Sequence, residues 1–271
     1  MKVREKILKI RPLFWALSAL AAVLLTVAVI GTRTGENGNG TAHTGSASLA
    51  PNPLTPENFA YEGDYLTCLS AEAVLGIDVS VWQGQIDWEQ VKAAGVRFAM
   101  IRLGYRSMNE GTIHEDSMAR ANYTGARAAG ITVGAYFFSQ AVSPEEAEQE
   151  AEFVLELVEE WELEMPIVYD WEHTGQDTRT ADVDARTLTD CVNTFCRTVE
   201  AQGHKAMVYF NAHQAEHSMY LEELAGYPFW FAQYDQMLEC PYRVDMWQYT
   251  NKGRVPGIST DVDMNLFFIY S

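Results

Sequence analysis

The tripeptide Asp170-Trp171-Glu172 carries the sharpest chemical signal in the chain. It closes an apolar run, Ile167-Val168-Tyr169, that reads as a β-strand. Residues i and i+2 of a strand share a face, so both carboxyls point the same way. Burial at the end of such a run raises the pKa of at least one of them. A proton donor beside an ionised carboxylate is the equipment that glycosidic-bond cleavage requires. Two solvated acids at a strand end are the plain alternative in a chain holding 37 Asp and Glu. Asp78, in Gly76-Ile77-Asp78-Val79-Ser80, and Asp263, in Asp261-Val262-Asp263, supply two more acids beside apolar runs. A turn-forming role competes for each.

Aromatic residues crowd these acids in sequence. Trp82, Tyr105, Tyr136, Tyr209, Trp230 and Trp247, with Gln233, are the expected substrate contacts, because sugar rings present apolar C–H faces that stack on aromatic rings. About half of the aromatics belong instead to the core, Trp161 on its helical stripe among them. His114, His173 and His213 could join Asp78 and Asp170 around a divalent ion. No HxH, HExxH or CxxC spacing supports such a site, so neither metal nor cofactor is expected. The chain also lacks a GxSxG elbow, a Walker loop and a GxGxxG turn.

The elements that must position these groups alternate. Candidate strands are Leu75–Ser80, Arg97–Leu103, Thr132–Phe138, Pro166–Glu172, Ala206–Asn211, Phe229–Tyr234, Val244–Tyr249 and Met264–Tyr270. Between them, Ser143-Pro144-Glu145-Glu146 reads as a capping box opening a helix with Ala147, Ala151, Val154, Val158 and Trp161 on one stripe. Leu188, Val192, Phe195 and Val199 mark another. Strand–helix alternation implies a parallel sheet covered on its faces. The later strands follow too closely for a helix each time, so the expected fold is α/β: an irregular TIM-like β/α barrel with eight strands and fewer than eight helices. Chemistry in such barrels sits at the C-terminal strand ends, which selects Asp78, Tyr136, Asp170, Glu172 and Asn211, with Gln233, Tyr234 and Gln248 from later strands.

Composition bounds the partners. Of 271 residues, 48% are hydrophobic and 21% charged, which supports a sizeable core. The net charge of −18 argues against nucleic-acid binding, which needs a basic face. Through Arg33 the chain carries six Lys/Arg and one Glu, leaving 13 basic and 36 acidic residues beyond. Residues 1–12 form a basic tail, and the uncharged stretch 13–31 would span roughly 28 Å as a helix, close to the hydrocarbon core of a bilayer. A cleaved signal peptide competes with a retained anchor. The length of the stretch, the lack of a small-x-small site and the following Arg33 favour the anchor. The expectation is a single-pass cell-membrane protein, its catalytic domain outside the cytoplasm, or a secreted one if the segment is cleaved. Residues 32–70, rich in Gly, Thr and Pro, read as a flexible linker, and residues 71–271 as the catalytic barrel, expected to act as a monomer. Cys191 and Cys196 fall on opposite parts of one helix and should not pair; Cys68 and Cys240 could meet at the barrel seam.

Seven stretches in order resemble the muramidases of glycoside hydrolase family 25. They are Gly76-Ile77-Asp78-Val79-Ser80 with Trp82-Gln83-Gly84 and Ile86-Asp87-Trp88; Phe98–Arg102 with Gly104-Tyr105; Ala128-Ala129-Gly130 through Gly134-Ala135-Tyr136; Asp170-x-Glu172; Trp230-x-Ala232-Gln233-Tyr234; Trp247-Gln248-Tyr249; and Val255-Pro256-Gly257-Ile258 through Val262-Asp263-x-Asn265. The resemblance implies a peptidoglycan hydrolase that cleaves the β-1,4 bond between N-acetylmuramic acid and N-acetylglucosamine. It makes Glu172 the general acid, Asp170 its partner, Asp78 and Asp263 the other acids of the groove, and Tyr136 an aromatic beside the reaction centre. Val81 and Thr260-Asp261 depart from the family pattern without removing a catalytic group. A barrel that only binds glycan, as an adhesion or scaffold module, is the alternative; retention of all four acids argues against it.

Overall fold

The computed structural model describes residues 48–270 apart from residue 236. Residues 1–12 and 13–31, expected as basic tail and membrane anchor, lie outside them. Among the described residues no helix is long and apolar enough to cross a membrane.

The chain enters as a short hairpin, β1 (Phe59–Glu62) and β2 (Tyr65–Cys68). The barrel then starts with β3 (Glu72–Val79), α1 (Trp88–Ala93), β4 (Phe98–Arg106), a short β5 (Ile113–Glu115) and α2 (Ala119–Ala128). It continues with β6 (Thr132–Ser139), α3 (Pro144–Val158), β7 (Ile167–Trp171), α4 (Ala185–Ala201) and β8 (Ala206–Asn211). Two short helices follow, α5 (Ala212–His217) and α6 (Leu221–Leu224), before β9 (Phe229–Ala232), β10 (Met246–Gly253) and β11 (Val262–Ile269). Strands β3, β4, β6, β7, β8, β9, β10 and β11 close a ring, and β5 hangs on the extended end of β4. With six helices among the described residues, the fold is the irregular eight-stranded barrel expected from the alternation.

One strand breaks the expected parallel pattern. β11 pairs antiparallel with both β10 and β3. Only eight residues separate β10 from β11, too few for the crossover a parallel pair needs. The reversal puts the start of β11 at the rim where the parallel strands end, and Asp263 lies opposite Asp78 in the register.

Two apolar layers hold the barrel. Inside it, Phe98, Met100, Val168, Met207 and Met246 form the floor beneath the rim. A Cβ on Gly76 would lie 2.3 Å from the Phe98 ring, so glycine is what admits that plug. Outside, Tyr169 and Trp171 of β7 pack with Leu188, Val192 and Phe195 of α4 and Ala147, Ala151 and Val154 of α3. α3 starts as its sequence indicates, with Ser143 accepting from the Glu146 amide. The Glu146 carboxylate, however, takes the Val142 amide and Arg179 instead of closing the box on Ser143.

The linker expectation for residues 32–70 fails in its second part. Phe59 packs edge-on against Trp247 at 4.9 Å, Leu54 and Leu66 are buried, and Asn52 and Arg243 exchange backbone hydrogen bonds with Pro241 and Ala50. Among the described residues no helix follows β9 or β10, so this sector of the barrel needs another cover. The β1–β2 hairpin supplies it. All four cysteines are free, and Cys191, Cys196 and Cys240 are buried.

A buried ion pair ties β4 to α3. Arg106 Nε donates to Glu150 Oε1 at 2.6 Å, and Ser139 Oγ lies 2.6 Å from Glu150 Oε2. Burial pushes Glu150 up to about 7 although Ser139 and Arg106 pull it down. Arginine does not lose its charge, so Glu150→Gln strands a buried guanidinium. A cost of ~3–5 kcal/mol is expected, read as a Tm lowered by roughly 10 °C in a chain this size.

Candidate active site

The C-terminal rim of the parallel strands opens into a cavity of about 200 Å³. Asp78 from the end of β3, Asp170 from β7, Glu172 just beyond it and Asp263 from the start of β11 all line it. Strand parity explains the convergence. Val168 faces the barrel interior and Tyr169 and Trp171 the helices, so Asp170 points inward.

A polar scaffold fixes Asp78. Its Oδ2 accepts from Gln248 Nε2 and Asn265 Nδ2, each at 2.8 Å. Gln248 Oε1 accepts from the Tyr209 and Tyr234 hydroxyls at 3.1 and 3.2 Å. Trp230 Nε1 donates to Asn265 Oδ1 at 2.9 Å, which sets the orientation of that amide. Five strands or strand ends thus meet in one network.

Burial dominates the electrostatics. It pushes Asp78 up to about 6 against the two amide donors that favour its charge. Asp263 is driven up to about 8 by burial and by Asp78. Glu172 is raised by burial and by Asp78. Asp170 rises well above the usual carboxylate range through burial, then Glu172 and Asp78. Burial and the neighbouring acids thus both favour the neutral form of Asp170. Its Oδ1 is buried with no hydrogen-bond partner. Among the described residues the only cation lining the cavity is Arg102, whose Nε and Nη2 both lie 2.8 Å from Asp116 Oδ2.

Of the expected substrate contacts, Tyr136, Trp82, Tyr209 and Trp230 line the cavity. Trp230 and Tyr209 are floor residues, packed edge-to-face at 5.1 Å, so their rings do not lie open for stacking. Trp82 on the Val81–Gln83 turn is 74% exposed and Tyr234 53%, and these are the aromatic faces offered at the rim. Trp247 does not belong to the site. It is fully buried on the outer side of β10 beneath Phe59, because the inward positions of that strand are Met246 and Gln248. Gln233 turns away as well, exchanging hydrogen bonds with Glu239. Tyr105 stacks on His114 at 5.1 Å on the β4–β5 extension, outside the cavity lining. Among the described residues no three His, Cys, Asp or Glu side chains are placed to share a metal ion.

Ser80, Arg102 and Asn265 stand in the family-like stretches without an expected site role, and Phe138 ends a candidate strand; the structure places Ser80, Arg102 and Phe138 in the cavity lining and Asn265 on Asp78. Asn265 was within reach, since it follows Asp263 by two and shares its face. Arg102 likewise follows Met100 on the inward face of β4.

Comparison with known proteins places this geometry. Lysozyme M1 of Streptomyces globisporus is 32% identical over 206 residues, covering 72% of this chain and 67% of the relative. The lysozyme structure from Streptomyces coelicolor superposes with a TM-score of 0.60 at 30% identity, over 74% of this chain and 94% of that one. The modular autolysin LytC of Streptococcus pneumoniae gives 0.64 at 28% identity over 73% of this chain, which spans only 47% of it. LytC is also known in complex with a synthetic peptidoglycan ligand. A family model described as glycosyl hydrolases family 25 matches residues 77–258, and the chain belongs to that family.

Proposed function

We propose that this chain cleaves the β-1,4 bond between N-acetylmuramic acid and N-acetylglucosamine in peptidoglycan, with Glu172 as proton donor and Asp170 as its partner. It is a glycoside hydrolase by family, and its lysozyme relatives make peptidoglycan its substrate. The observation that carries the residue roles is the convergence of four carboxyls in one cavity, with a buried, unpartnered Asp170 Oδ1 among them.

The raised pKa values give each group its part. Two buried carboxyls close together do not both ionise readily, so burial and mutual repulsion favour keeping a proton on the pair. A substrate acetamido N–H reaching Asp170 Oδ1 supplies the missing partner. A hydrogen bond to the charged form favours it, so substrate shifts Asp170 toward carboxylate and leaves the proton on Glu172. Glu172 then protonates the glycosidic oxygen. Asp170 stabilises the oxocarbenium-like transition state or orients the acetamido oxygen toward the anomeric carbon. Asp78 and Asp263 hold sugar hydroxyls or water, and Tyr136 stays a neutral hydroxyl because burial, and then Asp78, raises its pKa well above the ordinary value.

Incubation with purified peptidoglycan should release reducing sugar. A folded protein that binds glycan and releases none would favour the adhesion or scaffold reading. The apolar stretch 13–31 supports a further proposal, that the enzyme works from the outer face of the membrane. The full chain should fractionate with membranes and be digestible from outside; a secreted form beginning between Thr32 and Ala60 would overturn that.

A further inference from the structure

The peptide units on either side of Glu172 lie beyond the sheet that should hold them. β7 ends at Trp171; its ladder to β8 stops at Tyr169, opposite Val208, and its ladder to β6 at Trp171, opposite Ser139. The carbonyls of Trp171 and Glu172 are therefore left without strand partners in a largely buried place. Two glutamine side chains take them. Gln140, fully buried just past β6, donates from Nε2 to Glu172 O at 2.7 Å and to Ser139 O at 2.8 Å. Gln214, 1% exposed in the first turn of α5, donates from Nε2 to Trp171 O.

Each amide is itself fixed. Gln140 Oε1 accepts from Thr174 Oγ1 at 2.8 Å. Gln214 Oε1 accepts from the Asn211 amide at 3.0 Å, and Asn211 Oδ1 returns a bond from the Gln214 amide at 3.1 Å. Trp171 Nε1 donates to Ala141 O at 3.0 Å, pinning the same strand end from behind. Fixing both peptide planes that flank a residue fixes its φ and ψ, and with them the direction of its Cα–Cβ bond. The two clamps come from the elements that follow the strands on either side of β7.

We propose that Gln140 and Gln214 are positioning residues that aim the Glu172 carboxyl at the scissile oxygen. Neither lines the cavity, and both act through the peptide units that flank Glu172. The proposal rests on Glu172 being the proton donor. A misplacement of about 1 Å at a reacting group costs on the order of 10²-fold in rate, so the clamps' effect falls on kcat.

The test uses Gln140→Met and Gln214→Met, which keep volume and remove the donated hydrogen bond. On soluble peptidoglycan fragments each should lower kcat by ~10–100-fold with KM held within about twofold, and each should move the alkaline limb of the kcat profile. In a Glu172→Gln background the same substitutions should cost less than about twofold further, because residues acting as one unit are not additive. Parent-like kcat in the single variants, or an undiminished loss in the Glu172→Gln background, overturns the proposal. Thr174→Val, which frees only the Gln140 amide, decides the Gln140 arm if the buried variant does not fold. It should lower kcat and move the same limb, and an unchanged kcat and profile refutes that arm. If Glu172→Gln itself kept parent activity, the acid assignment would fail and take the clamps with it. If it collapsed while the clamp variants did not, only the clamps would fail.

Discussion

Glu172→Gln is expected to lower turnover of peptidoglycan by at least ~10²–10⁴-fold, the usual worth of general acid catalysis, while the variant folds and binds wall fragments as before. The substitution keeps the shape and polarity of the side chain and removes only the proton it delivers. The pH dependence follows from the same group. A donor works while protonated, so the parent rate should fall as pH rises through the Glu172 ionisation, which burial and then Asp78 hold above the ordinary carboxylate range. The residual rate of Glu172→Gln should lack that alkaline limb. A variant with near-parent activity would remove Glu172 from the mechanism. Asp78→Asn should be milder than Glu172→Gln, since Asn can still accept from Gln248 and Asn265 at the same place.

How far the sequence reveals such a site depends on which physical signal each residue carries. All eight barrel strands are legible because a buried strand is an unbroken apolar run between turn residues. Asp170 and Glu172 are legible through the two-residue period, and Asp78 through its place at a strand end. Asp263 is found at the right rim although β11 runs backward, because its position beside the family motif marks it where the parallel rule does not. Trp247 is misread for lack of parity. A Trp-Gln pair on a strand puts one residue in and one out, and the apolar Met246 before it is compatible with either face. The hairpin at 59–68 is missed because the prolines and glycines before it dominate the composition. Its apolar residues gain their purpose only from a helix-free sector that no local pattern records. Gln140 and Gln214 carry no sequence signal at all. Their role exists only where three neighbouring elements end together.

Asp170→Asn should make the protein more stable and almost inactive. The sign follows from the direction of its shift. A carboxyl raised above its unfolded value binds its proton more tightly in the folded state. That contribution is fully present below the unfolded value of about 4 and is lost as pH rises through the folded one. The cleft holds four such groups, all raised chiefly by burial and three of them also by one another. The native state is therefore strained toward alkaline pH, and least so near pH 4. Replacing Asp170 by the neutral isostere removes one of the buried titrating groups and relieves its neighbours. Strained active sites exchange stability for function in the range of ~1–2 kcal/mol, which corresponds here to a Tm higher by about 5 °C at pH 8. The gain should shrink toward zero by pH 4, where the parent carboxyl is already protonated. Turnover should fall by at least ~10²-fold, since Asn cannot become the carboxylate that an acetamido N–H and a developing positive charge require. Thermal melts of both proteins from pH 4 to 8, beside reducing-sugar release, measure the two effects together. A Tm difference that did not change with pH would mean that packing, not charge, accounts for it, and a variant less stable at pH 8 would refute the strain.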